Sequence, residues 1–202
     1  MDEDTREQGL LTALTTEHFV LQTSRSATIT ESVGRATVFL SLLSASLIGL
    51  GFVSSSGHLI KPYLGAVLPT LVITGLLTFG RLVQNMVENS LDLKRIQRIR
   101  AYYHRQLAGE HDFFADAVTG GGDMQAISAA VGSRPARWQL LLTTAAMVGA
   151  VNALLIGLGA ALLTGVLNGS LGLAIALGVA VALVAFTAQV AYIKRASIWL
   201  TG

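Results

Sequence analysis

Glu110, His111, Asp112 and Asp116 form the one cluster in this chain whose residue types suit metal chemistry. Carboxylates and an imidazole are ordinary ligands of divalent cations. Their spacing argues against a centre. Neighbouring residues on a helix point in different directions, and of the carboxylates only Asp112 and Asp116 share a face, which supplies two ligands at most. The glycine run from Thr119 to Asp123 has neither the preceding strand nor the lysine of a phosphate loop. The chain has no cysteine, so disulfides, thiolate metal sites and cysteine nucleophiles are excluded. No apolar stretch carries a Ser, His and acid combination or a paired carboxylate at catalytic spacing. The expectation is no enzyme, no catalytic residue, no metal and no cofactor.

Three polar residues inside or beside apolar runs are the remaining candidates. Arg81 falls where a span of about 20 residues would end, so it snorkels to headgroups or lines a pore mouth. Asn152 and Gln189 lie deeper. Each is either one end of a hydrogen bond between helices or a polar point in a permeation path.

The elements that would carry these residues are four apolar runs. The chain is 52% hydrophobic and 13% charged over 202 residues, against about 25% charged in an ordinary soluble domain. Spans are expected at about 36–54, 64–82, 138–167 and 171–193. The fold class is therefore all-α, a polytopic membrane protein of two transmembrane helical hairpins with cytoplasmic helical extensions. The divisions expected are a cytoplasmic tail and helix at 1–35, a first hairpin at 36–82 and a cytoplasmic helical segment at 83–137. A second hairpin at 138–195 and a tail at 196–202 complete the chain. The acidic start MDEDTREQ precedes no signal-peptide core, and the first span is expected to act as its own insertion signal.

Leu10, Leu14, His18, Leu21 and Arg25 fall on one face of an N-terminal helix, with Thr15 and Thr16 as a candidate N-cap. The first span carries Ser41, Ala45 and Gly49 at a spacing of four, which lets another helix approach closely. Pro62 favours a break before the second span.

From Tyr63 to Leu107 no strong breaker intervenes. If helical throughout, the stretch is about 65 Å long, twice the hydrocarbon thickness of a bilayer. Beyond the membrane it carries a 4-3 seam: Leu82, Met86, Asn89, Leu93, Ile96, Arg100, Tyr103 and Leu107. The seam needs a partner, either the N-terminal helix or the same helix of another subunit. Arg81, Asn85, Glu88, Asp92 and Arg95 are expected to form a solvated face. Lys94, Arg95, Arg98 and Arg100 are placed to touch anionic lipid headgroups. They are read as a topology determinant, not as a nucleic-acid site.

The strongest periodicity lies in the third span. Ala145, Gly149, Ala153, Gly157, Ala161 and Gly165 recur every four residues. Gly172, Ala176 and Ala180 echo them in the fourth, then Val184 interrupts. Small residues at this spacing predict close packing of the two spans or of subunits. Asn168-Gly169-Ser170 matches a glycosylation sequon, but the turn is too tight against the membrane for that use.

Topology follows from the cations. Of 14 Lys and Arg, only Lys61 lies in a loop on one side; the other 13 flank the opposite side. The positive-inside rule places both termini and the central segment in the cytoplasm of a multi-pass plasma-membrane protein.

Two blocks, EHFVLQTSRSATITESVGRATVFL and LTFGRLVQNMVENSLDLKRIQRIRAYY, resemble a group of uncharacterised actinobacterial integral membrane proteins. A looser resemblance is to SLATT-type domains, in which a membrane hairpin is flanked by cytoplasmic helices. That resemblance implies an architecture over Glu17 to Tyr103 and an association with nucleotide-triggered defence pores, and it assigns no functional residue. The second hairpin departs from the two-span pattern. The expected function is a homo-oligomeric membrane protein with a pore-forming, channel-like or effector role controlled by its cytoplasmic helices. The alternative is a non-conducting scaffold or regulator that binds a cytoplasmic protein. A small transporter ranks third, because intramembrane acids and repeat symmetry are lacking. The partners expected are the lipid bilayer, other copies of the chain and a cytoplasmic protein, with no nucleic acid.

Overall fold

A computed structural model describes residues 3–107, 143–167 and 169–198. Within them are four helices and no strand: α1 (Glu3–Ser54), α2 (Ile60–Leu107), α3 (Thr144–Val166) and α4 (Leu171–Ile198). The fold is all-α. Each helix contains a stretch long and apolar enough to cross a membrane.

The N-terminal helix and the first span are one element, α1, of 52 residues. The run of hydroxyl residues does not interrupt it. Thr12, Thr16, Thr28 and Thr30 each donate to the carbonyl four residues back, at 2.9–3.0 Å. Their side chains are thus absorbed by the helix instead of competing with it. Thr15, which the sequence offers as part of an N-cap, does the same towards Leu11. Glu17 lies mid-helix, so no cap is needed at this point.

Helix α2 runs 48 residues without a break, including Pro69. Its start is compatible with Pro62, because a proline in the first turn forfeits no intrahelical hydrogen bond. Thr143 caps α3: its side chain accepts from Ala146 N at 3.2 Å. Ser170 does the same for α4 through Leu173 N at 3.3 Å. Between them Gly169 packs onto Thr164, donating to its carbonyl at 3.0 Å. A side chain at 169 would lie 2.7 Å from Thr164 Cγ2, so the position requires glycine.

The chain divides into two compact units. One contains residues 3–31, 85–107 and 198 of the described chain. The other contains Ser32–Gln84 and the residues of α3 and α4 up to Ser197. Helices α1 and α2 contribute to both.

In the first unit α1 and α2 lie antiparallel. Thr15 and Tyr103 share a hydroxyl contact at 3.2 Å, while Ser24 and Arg25 meet Asp92 and Asn89. Between the first of these contacts and the other two, Leu21, Ile96 and Ile99 form an apolar cluster, with Leu14 and Tyr103 packed against it.

In the second unit each helix is antiparallel to the next in sequence. Gly49 of α1 packs on the ring of Tyr63 of α2, whose hydroxyl donates to Ser46 O at 2.8 Å. Further along the same pair, Phe39 packs on Gly75. Gly159 of α3 receives Leu68 of α2, and Gly157 of α3 meets Gly178 of α4. Phe39, Leu71, Phe79, Ala145, Val148, Ala153 and Ile193 are buried here.

Candidate functional site

The seam on α2 has its partner within the chain: it is α1. The face of Leu14, Leu21 and Arg25 meets it. The line in contact is rotated from the expected one. It runs through Asn89, Asp92, Ile96, Ile99 and Tyr103, again at 3-4 spacing. Of the expected seam, Leu82 and Ile96 are buried, whereas Met86, Asn89, Leu93, Arg100 and Tyr103 are half-buried. Nothing is described of the Leu107 side chain.

The solvated face needs correction. Asn85 is 1% exposed and Asp92 is 7% exposed. Asp92 is turned inward because it has a use there. It accepts from Ser24 Oγ at 2.9 Å, with Arg95 Nη1 at 3.7 Å. Beside it, Arg25 Nε donates to Asn89 Oδ1 at 2.8 Å. A 3.5-residue repeat reads apolar positions as interior, and a polar pair that satisfies itself across two helices escapes it. Of the headgroup candidates, Arg95 and Arg98 are exposed and Lys94 and Arg100 are half-buried.

In the second unit the three polar candidates part company. Arg81 is half-buried, and its Nη1 lies 3.4 Å from Gln84 Oε1. Asn152 is 0% exposed and Gln189 is 7% exposed. Both are enclosed by the chain's own helices. Asn152 Oδ1 sits against Gly75 of α2, where a methyl group would lie 2.7 Å from it and 3.0 Å from Phe39 Cζ. Gln189 Oε1 sits against Gly149 of α3, where a methyl would lie 2.9 Å from it and 3.2 Å from Phe79 Cε2. The same arrangement, an amide oxygen in the place a glycine's side chain would take, thus occurs twice. The Phe79 ring also meets Tyr192 at 6.1 Å.

The small-residue ladder divides in a similar way. On α3, Ala145, Gly149, Ala153 and Gly157 are buried, Ala161 is half-buried against Gly178, and Gly165 is exposed with nothing near it. At Gly157 the backbones touch: a methyl there would lie 2.5 Å from Gly178 O and 2.7 Å from Ala182 Cβ. On α4 the line that meets α3 is not Gly172, Ala176 and Ala180, which are exposed. Ala174, Gly178 and Gln189 are buried on this helix, with Ala182 beside Gly157. Ala174, Gly178 and Ala182 also recur every four residues. A helix this rich in alanine and glycine carries two such lines, and spacing alone cannot choose between them. Gly75 has no ladder around it, and only its place opposite an amide reveals its role.

Among the described residues no group of three or more His, Cys, Asp or Glu could hold a metal ion. Glu110, His111, Asp112 and Asp116 lie outside them, as does Asn168. Comparison with known proteins finds no matching family model, no matching curated protein and no matching solved structure.

Proposed function

We propose that the chain is a four-span membrane protein that does not conduct, and that it acts as a scaffold or regulator offering a cytoplasmic helical hairpin to a protein partner. The observation that carries this reading is the position of Asn152 and Gln189. A polar path needs polar side chains on a wall that ions can reach. These two face inward within one chain, against Phe39, Phe79 and two glycines. The seam of α2 is likewise filled by α1, so the hairpin is complete without a second copy. With 13 of 14 cations on one side, both termini and the α1–α2 hairpin of the first unit are cytoplasmic.

Two measurements test this. Purified protein reconstituted in liposomes should leave ion and dye fluxes at the protein-free level, and leakage that scales with protein would overturn the reading. Affinity capture with the full chain, compared with a variant lacking residues 82–137, should lose its protein partner; an unchanged set of partners would count against the hairpin as the binding element.

A second reading, a homo-oligomeric pore or effector, is favoured by one observation. Gly172, Ala176 and Ala180 form a small-residue line on α4 that its own chain leaves exposed, and such a line suits close approach by another helix. Mass measurement in nanodiscs separates the readings, since an oligomer dissociated by Ala176→Leu supports the second.

A further inference from the structure

Asn152 and Gln189 are more than packing residues. Neither Oδ1 nor Nδ2 of Asn152 meets a hydrogen-bond partner in the protein, and Gln189 Oε1 has none either. Gln189 Oε1 lies against Gly149. Asn152 is three residues further along α3, and positions so spaced adjoin on a helix surface, so both amides reach the same turn of α3. Gly75 and Gly149, lacking side chains, leave their faces to the two amides.

The chemistry of the unmet groups selects the ligand. Asn152 asks for both a donor and an acceptor, whichever way its amide is turned. Gln189 Oε1 asks for a donor. A bare cation cannot accept from an N–H, and a simple anion cannot donate to a carbonyl oxygen. Water does both, and buried polar groups without protein partners are where internal waters reside, typically making about three hydrogen bonds. We propose that Asn152 and Gln189 hold an internal water between α2, α3 and α4. Phe39 and Phe79, 1% and 5% exposed, wall the site, so this is an isolated structural water and not one link of a conducting file. The proposal stands whether the chain is a scaffold or an oligomeric effector.

The test uses the full chain in nanodiscs, with water as the probe. X-ray radiolysis generates hydroxyl radicals at bound water, and mass spectrometry locates the oxidised side chains. After normalisation to the intrinsic reactivity of each side chain, Phe39 and Phe79 should be oxidised well above Ile96, which is 1% exposed and lies in the apolar cluster of the first unit. The Asn152→Leu variant should lose that label, as it removes both unmet groups at similar volume. If, on the same normalised scale, Phe39 and Phe79 of the unaltered chain react no faster than Ile96, the site is dry and the proposal fails, whether or not any variant folds. If the label persists undiminished in a folded Asn152→Leu protein, the water is not held by the amide and the proposal fails equally.

Discussion

Arg25 Nε donates to Asn89 Oδ1 at 2.8 Å, from the middle of α1 to the middle of α2. The pair lies next to the Ser24–Asp92 bond and beyond the Leu21, Ile96 and Ile99 cluster. The order along the hairpin is thus a hydroxyl contact, an apolar cluster and a polar band. Apolar contacts slide easily along a helix, whereas hydrogen bonds between particular side chains do not. The band therefore sets which residue of α1 faces which residue of α2.

A double-mutant cycle on Arg25→Ala and Asn89→Ala measures that pair. Residues in direct contact couple by about 0.5–3 kcal/mol. The quantity to follow is amide exchange protection of residues 14–31 in the full chain. Protection losses that simply add would mean the bond contributes nothing to the register.

The apolar cluster should contribute more. Ile96 is 1% exposed, and truncating a buried isoleucine to alanine costs about 2–5 kcal/mol. Ile96→Ala should loosen α1 and α2 in the first unit, read as faster exchange or cleavage by added protease. Leu91, 41% exposed, is the control; Leu91→Ala should stay within about 0.5 kcal/mol.

Glycine 157 and glycine 172 should behave oppositely although the same spacing pattern predicts both. A valine at 157 would drive Cβ into Gly178 O and Ala182, and overpacking of this kind costs about 1–3 kcal/mol. Nothing lies within 4 Å of a methyl on Gly172. Gly157→Val should lower the unfolding midpoint in detergent, and Gly172→Val should leave it in place. Equal shifts would mean that α3 and α4 meet along the other line.

Topology can be checked cleanly because the chain has no cysteine. A membrane-impermeant maleimide added to intact cells should label Ser55→Cys, in the short loop after α1. It should spare Arg98→Cys until the cells are opened. Both positions are exposed. Labelling of Arg98→Cys from outside would reverse the orientation argued from the cations.

Tyr63 gives a further check on the second unit. Its hydroxyl donates to Ser46 O, a carbonyl already used by the helix. Tyr63→Phe should cost about 0.5–1.5 kcal/mol, the net value of one hydrogen bond. The thermal midpoint in detergent reports it, and an unchanged midpoint would make the bond incidental.

Hydropathy and the helical period suffice to place the four helices among the described residues. Four apolar runs separated by polar or turn residues become four helices, because a segment that long and that apolar has no alternative way to satisfy its backbone away from water. The absence of cysteine and the one-sided distribution of cations are equally plain in one dimension. Which face of each helix turns inward was decided in three dimensions. Asp92 looks like a solvent residue until Ser24 is placed opposite it. Gly172 and Gly178 look alike until Gly157 is brought against one of them. Asn152 reads as part of a pore or as one end of a hydrogen bond, and only the fold places its amide oxygen against Gly75 of α2. The physical reason is common to all three. Period and hydropathy are properties of one helix, whereas burial, hydrogen bonding and backbone contact belong to pairs of helices. When small residues are abundant, more than one pairing satisfies the same period, and only the fit of particular side chains across the interface selects among them.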